Sequence, residues 1–194
     1  MEIIPHLLVL ILFPPLLLGV INKTKALFAG RTGAPLLQPY FDIVKLLRKG
    51  MVLSGSTTWV FRAGPLVAAL SVLCAGFLIP LGSAGAPVSF AGDFILFAYL
   101  FALARFMTTL AALDTGSAFE GMGVSRELTF AFLSEPALFF ALLVLARNAG
   151  SLRLDAMLLG PLGGIPASSL APFVLVGLGL FIVLLAETCR IPVD

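Results

Sequence analysis

Five long apolar segments dominate this sequence and decide what the chain can fold into. They lie at roughly residues 3–21, 65–82, 94–113, 128–146 and 170–187. A helix needs about 20 apolar residues to cross the hydrocarbon core of a bilayer. Only helices and closed barrels satisfy their backbone hydrogen bonds in lipid. The pattern predicts an all-α, polytopic transmembrane helix bundle with about five spans.

Composition agrees with a chain surrounded by lipid. Charged residues make up 11% of the 194 residues, whereas soluble domains carry about 25%. The net charge of +2 and the lack of a basic, aromatic-rich patch argue against nucleic-acid binding. Cys74 and Cys189 lack a CxxC spacing and His6 is the one histidine, so we expect no metal, iron–sulfur cluster or other cofactor in this chain. We expect one integral membrane domain over residues 1–194.

The distribution of basic residues predicts the orientation in the membrane. Lysine and arginine are enriched in loops on the cytoplasmic side. If the spans alternate, Arg126 and Arg190 lie on the same side as the loop between the first two spans. We therefore expect the N-terminus outside and the first loop in the cytoplasm. That loop holds seven of the twelve basic residues, namely Lys23, Lys25, Arg31, Lys45, Arg48, Lys49 and Arg62.

The first loop also contains a short amphipathic segment, LLQPYFDIVKLLRKG, at residues 36–50. Gln38, Asp42, Lys45 and Lys49 recur at spacings of four, three and four, so they share one face of a helix. Gly50 is placed to end that helix. Because the segment is too short and too charged to span, we expect an interfacial helix. Whether it only lies at the interface or also docks a soluble partner stays open.

Charged side chains are concentrated between the third and fourth spans. Residues 114–135, DTGSAFEGMGVSRELTFAFLSE, include Asp114, Glu120, Arg126, Glu127 and Glu135. Glu135 falls inside an apolar segment, where an ionisable side chain is costly and marks a functional candidate. The alternative interpretation is a charged loop followed by one glutamate that is paired for structural reasons.

Depth in the membrane pairs Glu135 with Arg105 of the preceding span. From the ends of their spans, the helical rise places both roughly 10–12 Å below the cytoplasmic boundary. Opposite charges at one depth are expected to pair, because an unpaired charge there is costly. Pro136 is expected to kink the helix beside Glu135. With Glu187 near the cytoplasmic end of the last span, we expect a polar cavity that opens to the cytoplasm.

Three stretches resemble the membrane subunit shared by respiratory complex I and energy-converting nickel–iron hydrogenases. They are GRTGAPLLQPYFDIVKLLRKG at 30–50, LDTGSAFEGMGVSREL at 113–128 and AETCRIPVD at 186–194. The second is similar to the signature of the hydrogenase branch, the formate hydrogenlyase and hydrogenase-4 type. An insertion usual in the complex I version of the first stretch is absent. Relatives run to about eight spans, so we expect the N-terminal part of a longer family domain.

The resemblance implies an interface between a cytoplasmic electron-transfer arm and ion-translocating membrane subunits. Its motifs imply ion-coupling roles for Glu135, Glu187, Arg190 and Asp194, and the depth argument adds Arg105. The residues expected at the cytoplasmic loops and the partner interface are Asp114, Arg126, Glu127, Gln38, Asp42 and Lys45.

These features favour a membrane-anchoring and coupling subunit of an energy-converting, formate-linked hydrogenase in the bacterial inner membrane. It would be a non-catalytic part of an oxidoreductase complex. Expected partners are the hydrogenase large and small subunits, an iron–sulfur subunit and antiporter-like membrane subunits. The nickel–iron centre and the iron–sulfur clusters would belong to these partners. The alternative is a quinone-reactive subunit of complex I, which the signature at 114–127 argues against. A stand-alone transporter is disfavoured by the docking-type first loop.

Overall fold

The computed structural model describes residues 3–82, 85–160 and 170–188, and all its longer regular elements are helices. In the described part of the chain, five helices are long and apolar enough to cross a membrane: α1, α3, α4, α5 and α7. The predicted all-α membrane bundle is therefore confirmed. In chain order, the elements are α1 Ile3–Phe28, α2 Gln38–Leu47, α3 Trp59–Phe77, α4 Asp93–Leu113, α5 Ala118–Ala149, α6 Leu154–Leu159 and α7 Leu170–Glu187.

The chain divides into two compact units, Met1–Leu53 and Ser54–Asp194. In the first unit, α2 folds back against α1. A side chain at Gly19 would bring its Cβ to 2.1 Å from the Leu36 carbonyl oxygen, so only glycine permits this approach. The Tyr40 hydroxyl donates to the carbonyl oxygen of Leu12 in α1. This contact fixes the two helices of the unit together.

The amphipathic helix predicted at 36–50 is present, but it is shorter than expected. It covers Gln38–Leu47, and Gln38 Nε2 donates to Asp42 Oδ1 at 2.9 Å along the predicted polar face. Gly50 lies beyond the helix end, so its predicted role as the stop is wrong. The N–H of Arg48 instead bonds to the Lys45 carbonyl at 3.3 Å, which tightens the last turn.

The second unit begins with α3, whose bounds differ from the predicted span at 65–82. The helix starts earlier, after Thr58, and ends at Phe77. Pro80 explains the end, because proline disfavours helical geometry in the residue before it. Apolar residues continue past that end, so hydropathy alone misplaces it. α3 packs on α4 closely enough that a Cβ on Gly64 would lie 2.8 Å from the Met107 carbonyl oxygen.

α5 is the longest helix, with 32 residues and a length of about 48 Å. It begins ten residues before the predicted span at 128–146, so most of the predicted charged loop is helical. Hydropathy detects only the apolar part of a helix, and nothing in the polar turns before it prevents helix formation. The Ser117 hydroxyl donates to the Glu120 carboxylate at the start. At the other end, Gly150 adopts a φ of 63°, which favours glycine.

A buried carboxylate accepts hydrogen bonds at the N-terminal end of α4. Asp93 is completely buried and accepts from the N–H of Leu154 at 2.6 Å and of Phe90 at 3.3 Å. Leu154 begins α6, a short helix between the fourth and fifth spans; residues 161–169 lie outside the described part. An apolar core forms here around Leu78, Phe94, Leu142, Leu145, Ala146, Leu154 and Met157.

Candidate functional site

One arginine contacts three glutamates where α4, α5 and α7 meet. Arg105 Nη1 donates to Glu135 Oε1 at 2.7 Å, and Arg105 Nη2 donates to Glu187 Oε2. Arg105 Nε lies 3.6 Å from Glu127 Oε1. The ion pair predicted between Arg105 and Glu135 is therefore present, and two further carboxylates join it. We call these four residues the Arg105 cluster.

Helix geometry brings the members of the Arg105 cluster within reach of one guanidinium. Glu127 and Glu135 are eight residues apart on α5, which puts them on one side of the helix about 12 Å apart. Arg105 lies between them on α4, and its side chain is only 9% exposed. Glu187 ends α7 and approaches from a third direction. The long guanidinium reaches all three carboxylates, since its five N–H groups point along separate directions.

Ser134 adds a hydroxyl to this site. Its Oγ donates to Glu187 Oε1 at 2.7 Å, while the other oxygen of that carboxylate accepts from Arg105. Ser134 is buried and precedes Glu135 on α5. Ser134 is not among the residues predicted from the sequence. A serine in an apolar helix next to a glutamate was the available signal.

The four side chains of the Arg105 cluster do not balance in charge. Three ionised glutamates against one arginine leave an excess of two negative charges. Arg105 therefore holds together three carboxylates that repel one another.

A cavity of about 530 Å³ adjoins the cluster in the second unit. Arg105, Glu135 and Glu187 form its charged end. The remaining lining is apolar and aromatic, so the expected polar cavity is wrong in character. The physical reason is that the helices turn phenylalanine and leucine to this face away from the charges. The lining side chains include Phe97, Phe101, Phe132, Phe139, Phe140, Leu180 and Leu184.

Asp114 connects the end of α4 to the start of α3. Its carboxylate accepts from the Thr58 hydroxyl and the Thr58 N–H, both at 2.7 Å, and from the Phe61 N–H at 3.2 Å. The Thr58 hydroxyl holds the pKa of Asp114 below its usual value of 3.8; partial burial opposes this, and the two N–H groups support it. These bonds occupy the carboxylate within the chain. Contact between Asp114 and a partner stays a prediction.

The other predicted site residues fall into three places. Arg126 and Glu127 lie on α5 rather than in a loop, and Glu127 joins the Arg105 cluster. The residues of the amphipathic helix lie in the first unit, namely Gln38, Asp42 and Lys45. Arg190 and Asp194 lie outside the described residues, so their predicted roles have no structural counterpart here.

Comparison with protein families gives a match along the whole chain. Residues 1–194 match the family model described as NADH dehydrogenase. The chain is 41% identical over 144 residues to formate hydrogenlyase subunit 4 of Escherichia coli (strain K12), covering 74% of this chain and 47% of that protein. It is 40% identical over 147 residues to hydrogenase-4 component C of the same strain, covering 76% and 47%.

More divergent proteins also match most of the chain. An NADH-quinone oxidoreductase subunit of Polaromonas naphthalenivorans (strain CJ2) is 26% identical over 168 residues, which cover 82% of this chain and 47% of that protein. A chain of the membrane-bound sulfane sulfur reductase, an archaeal respiratory membrane complex, superposes with a TM-score of 0.81 at 22% identity, covering 96% of this chain and 62% of that one. The chain thus spans about half the length of the curated relatives it matches.

Proposed function

This chain belongs to the NADH dehydrogenase family, and we propose that it is a membrane-anchoring and coupling subunit of an energy-converting, formate-linked hydrogenase. The observation that carries the proposal is the Arg105 cluster, in which one buried arginine joins three glutamates from two other helices. The 41% and 40% identities to two hydrogenase subunits support the choice of complex.

In this proposal, the excess carboxylates of the Arg105 cluster hold an exchangeable proton. Arg105 keeps the glutamates in place, and Ser134 orients Glu187. A change of charge at a redox centre in a partner alters the electrostatic potential at the cluster and so alters its proton occupancy. Glu135 and Glu187 exchange the proton because both also line the cavity. Arg190 and Asp194 extend this path by resemblance alone.

The proposed partners are the hydrogenase large and small subunits, an iron–sulfur subunit and antiporter-like membrane subunits. The nickel–iron centre and the iron–sulfur clusters belong to those partners and carry out the electron transfer. The names of the relatives support a multisubunit assembly, since they describe subunits and components of respiratory or hydrogenase systems. This chain then contributes the membrane attachment and the ion coupling.

We place the chain in the bacterial inner membrane with its N-terminus outside. The seven basic residues of the first loop support this orientation. Cys189 should then resist a membrane-impermeant thiol reagent in intact cells and react in inverted vesicles. The measurement is made in a Cys74→Ser background, because Cys74 is the other cysteine in the chain. Labelling of Cys189 from the outside would overturn the orientation.

The alternative candidate is a quinone-reactive subunit of complex I. It is supported by the 26% identity to an NADH-quinone oxidoreductase subunit. The higher identity to the two hydrogenase subunits favours the first proposal. Quinone-dependent NADH oxidation by the purified complex, without hydrogen evolution, would establish the alternative.

The coupling role is tested with Glu187→Gln in the complex purified from membranes. Glutamine preserves the shape of the side chain but removes its charge. We expect normal assembly and normal hydrogen evolution from an artificial soluble donor, with membrane-coupled activity reduced about a hundredfold, the lower end of the range for positioned proton-transfer groups. Glu120→Gln is the matched control, because Glu120 is exposed on the same α5 and bonds to Ser117. Failure to assemble, or intact coupling, would refute the role of Glu187.

A further inference from the structure

The first unit carries a concentration of unneutralised positive charge. All six of its basic side chains are exposed, and none forms an ion pair with any described residue. The acidic residue described in this unit is Asp42, which accepts a hydrogen bond from Gln38. The six basic residues are Lys23, Lys25, Arg31, Lys45, Arg48 and Lys49.

The helix α2 presents three different sides. Pro39, Ile43 and Leu46 line the cavity it forms with α1. Phe41, Val44 and Leu47 form a second, apolar side that is 61%, 49% and 81% exposed. Gln38, Asp42 and Lys45 form the third, polar side, and its Gln38 and Asp42 also border that cavity. An exposed apolar stripe beside a charged stripe is typical of a helix that lies at a membrane surface.

The end of α1 and the connection that follows it carry further charges. α1 has 26 residues and a length of about 39 Å, more than the roughly 30 Å of the hydrocarbon core. Its last turns carry Lys23 and Lys25 beyond the apolar segment. Lys23 Nζ donates to the Thr32 carbonyl at 2.7 Å, and the N–H of Arg31 bonds to the Ala26 carbonyl at 2.8 Å. These bonds fold the connection back so that Arg31 stays beside the end of α1.

We propose that the six basic side chains of the first unit form a binding surface for anionic phospholipid headgroups. Two features of the first unit favour lipid over other anionic partners. Its positive charges lack carboxylate partners within the described chain, so they complement phosphate groups. Its neighbouring apolar stripe, Phe41, Val44 and Leu47, requires acyl chains at the same level. A soluble protein would have to present acidic and apolar surface side by side, whereas a single anionic phospholipid molecule carries both.

The test compares lipids of different charge on the purified protein in detergent. Phosphatidylglycerol should raise the melting temperature more than phosphatidylcholine does, and added salt should remove the difference. Lys45→Gln, Arg48→Gln and Lys49→Gln together should weaken the apparent affinity for phosphatidylglycerol by at least about tenfold, since each charge near a membrane surface contributes severalfold. Helix content by circular dichroism checks that the triple variant is folded.

Two controls separate lipid binding from general effects of charge. Lys45→Arg with Lys49→Arg keeps the charge and should keep the preference for phosphatidylglycerol. Arg147→Gln removes an exposed charge from α5 in the other unit and should also keep it. Equal stabilisation of the unaltered protein by both lipids would refute the proposal. So would a triple variant that keeps its lipid preference but loses a soluble subunit from purified membranes.

Discussion

The two halves of α4 hold charged side chains in opposite ways. Asp93 begins the helix, is completely buried and receives two backbone N–H bonds. Arg105, about 18 Å further along the helix, meets three carboxylates that are 27% to 46% exposed. The hydrogen-bond donors of Asp93 are backbone N–H groups, which do not ionise. The neighbours of Arg105 are carboxylates, which are ionisable.

This difference separates a structural charge from a functional candidate more clearly than burial does. Burial alone would rank Asp93 above Arg105 as a special residue. However, the donors of Asp93 are backbone groups of Phe90 and Leu154, so its contacts tie a loop and α6 to α4. The Arg105 cluster has more negative than positive charge and borders a cavity. A charged group inside a membrane helix that also borders a cavity is a functional candidate.

The largest effect is expected when the carboxylate of Asp93, the structural charge, is removed. Asp93→Ala leaves the buried N–H of Leu154 without its acceptor and should destabilise the protein by about 2–4 kcal/mol. Asp93→Asn should recover part of the loss because its amide oxygen still accepts. Thermal unfolding in detergent measures both. Asp155→Ala, which changes a neighbouring carboxylate paired with Arg153, is the control and should cost far less. Equal losses of stability in the two alanine variants would show that the buried contacts of Asp93 have no special structural role.

The second prediction concerns Arg105 itself. Arg105→Gln removes the only positive charge from the cluster and should cost about 2 kcal/mol, less than in a fully buried pair because the glutamates are partly exposed. Adding Glu135→Gln should restore part of the stability, but not all, since Glu127 and Glu187 remain. A double-mutant cycle of melting temperatures measures the coupling. Purely additive losses would show that the contacts carry no coupling energy.

The third prediction concerns Ser134, which contacts the Arg105 cluster. Ser134→Ala removes one hydrogen bond to Glu187 and should cost about 1 kcal/mol. Membrane-coupled activity should fall relative to hydrogen evolution from a soluble donor, though less than in Glu187→Gln. Ser134→Thr restores the hydroxyl and should restore the ratio of the two activities. An unchanged ratio in Ser134→Ala would limit this serine to packing.

The smallest effect is expected at Asp114, the residue that follows α4. Its carboxylate is neither completely buried nor part of the Arg105 cluster. Its pKa in the folded state lies below 3.8, chiefly because of the Thr58 hydroxyl. The stabilisation is therefore complete well above that value and is lost as pH falls through the lowered pKa. Asp114→Asn should lower the melting temperature at neutral pH and flatten its fall in acid. Thr58→Val should act in the same direction, and the double variant should lose less than the sum. Additive losses would argue against the contact.

Sequence reasoning recovered the parts of this molecule that depend on composition or on neighbouring positions. The spans follow from hydropathy, and the match of α4 to its predicted segment at 94–113 is nearly complete. The pairing of Arg105 with Glu135 followed from equal depth on consecutive helices. The side-by-side placement of Gln38 and Asp42 followed from helical spacing.

The missed features depend on contacts between distant residues. Glu187 lies 82 positions from Arg105, and no helical register relates their rotations. The bonds from Thr58 to Asp114 also cross two helices, so neither residue signals the other. Glu127 was assigned to a loop because hydropathy does not report polar turns of a helix. Asp93 carried a usable signal, an acid at the first turn of a span.

The length of α5 makes the Arg105 cluster sensitive to the thickness of the membrane. A helix of about 48 Å exceeds a 30 Å hydrocarbon core by about 18 Å. It must tilt, or its polar first turns must project into the headgroups. Glu127 lies about 14 Å from the start of the helix, close to that boundary. A bilayer of shorter lipids exposes this carboxylate to the hydrated headgroup layer, and a thicker one draws it into hydrocarbon. The length of the lipid acyl chains thereby determines the hydration of Arg105 and its glutamates.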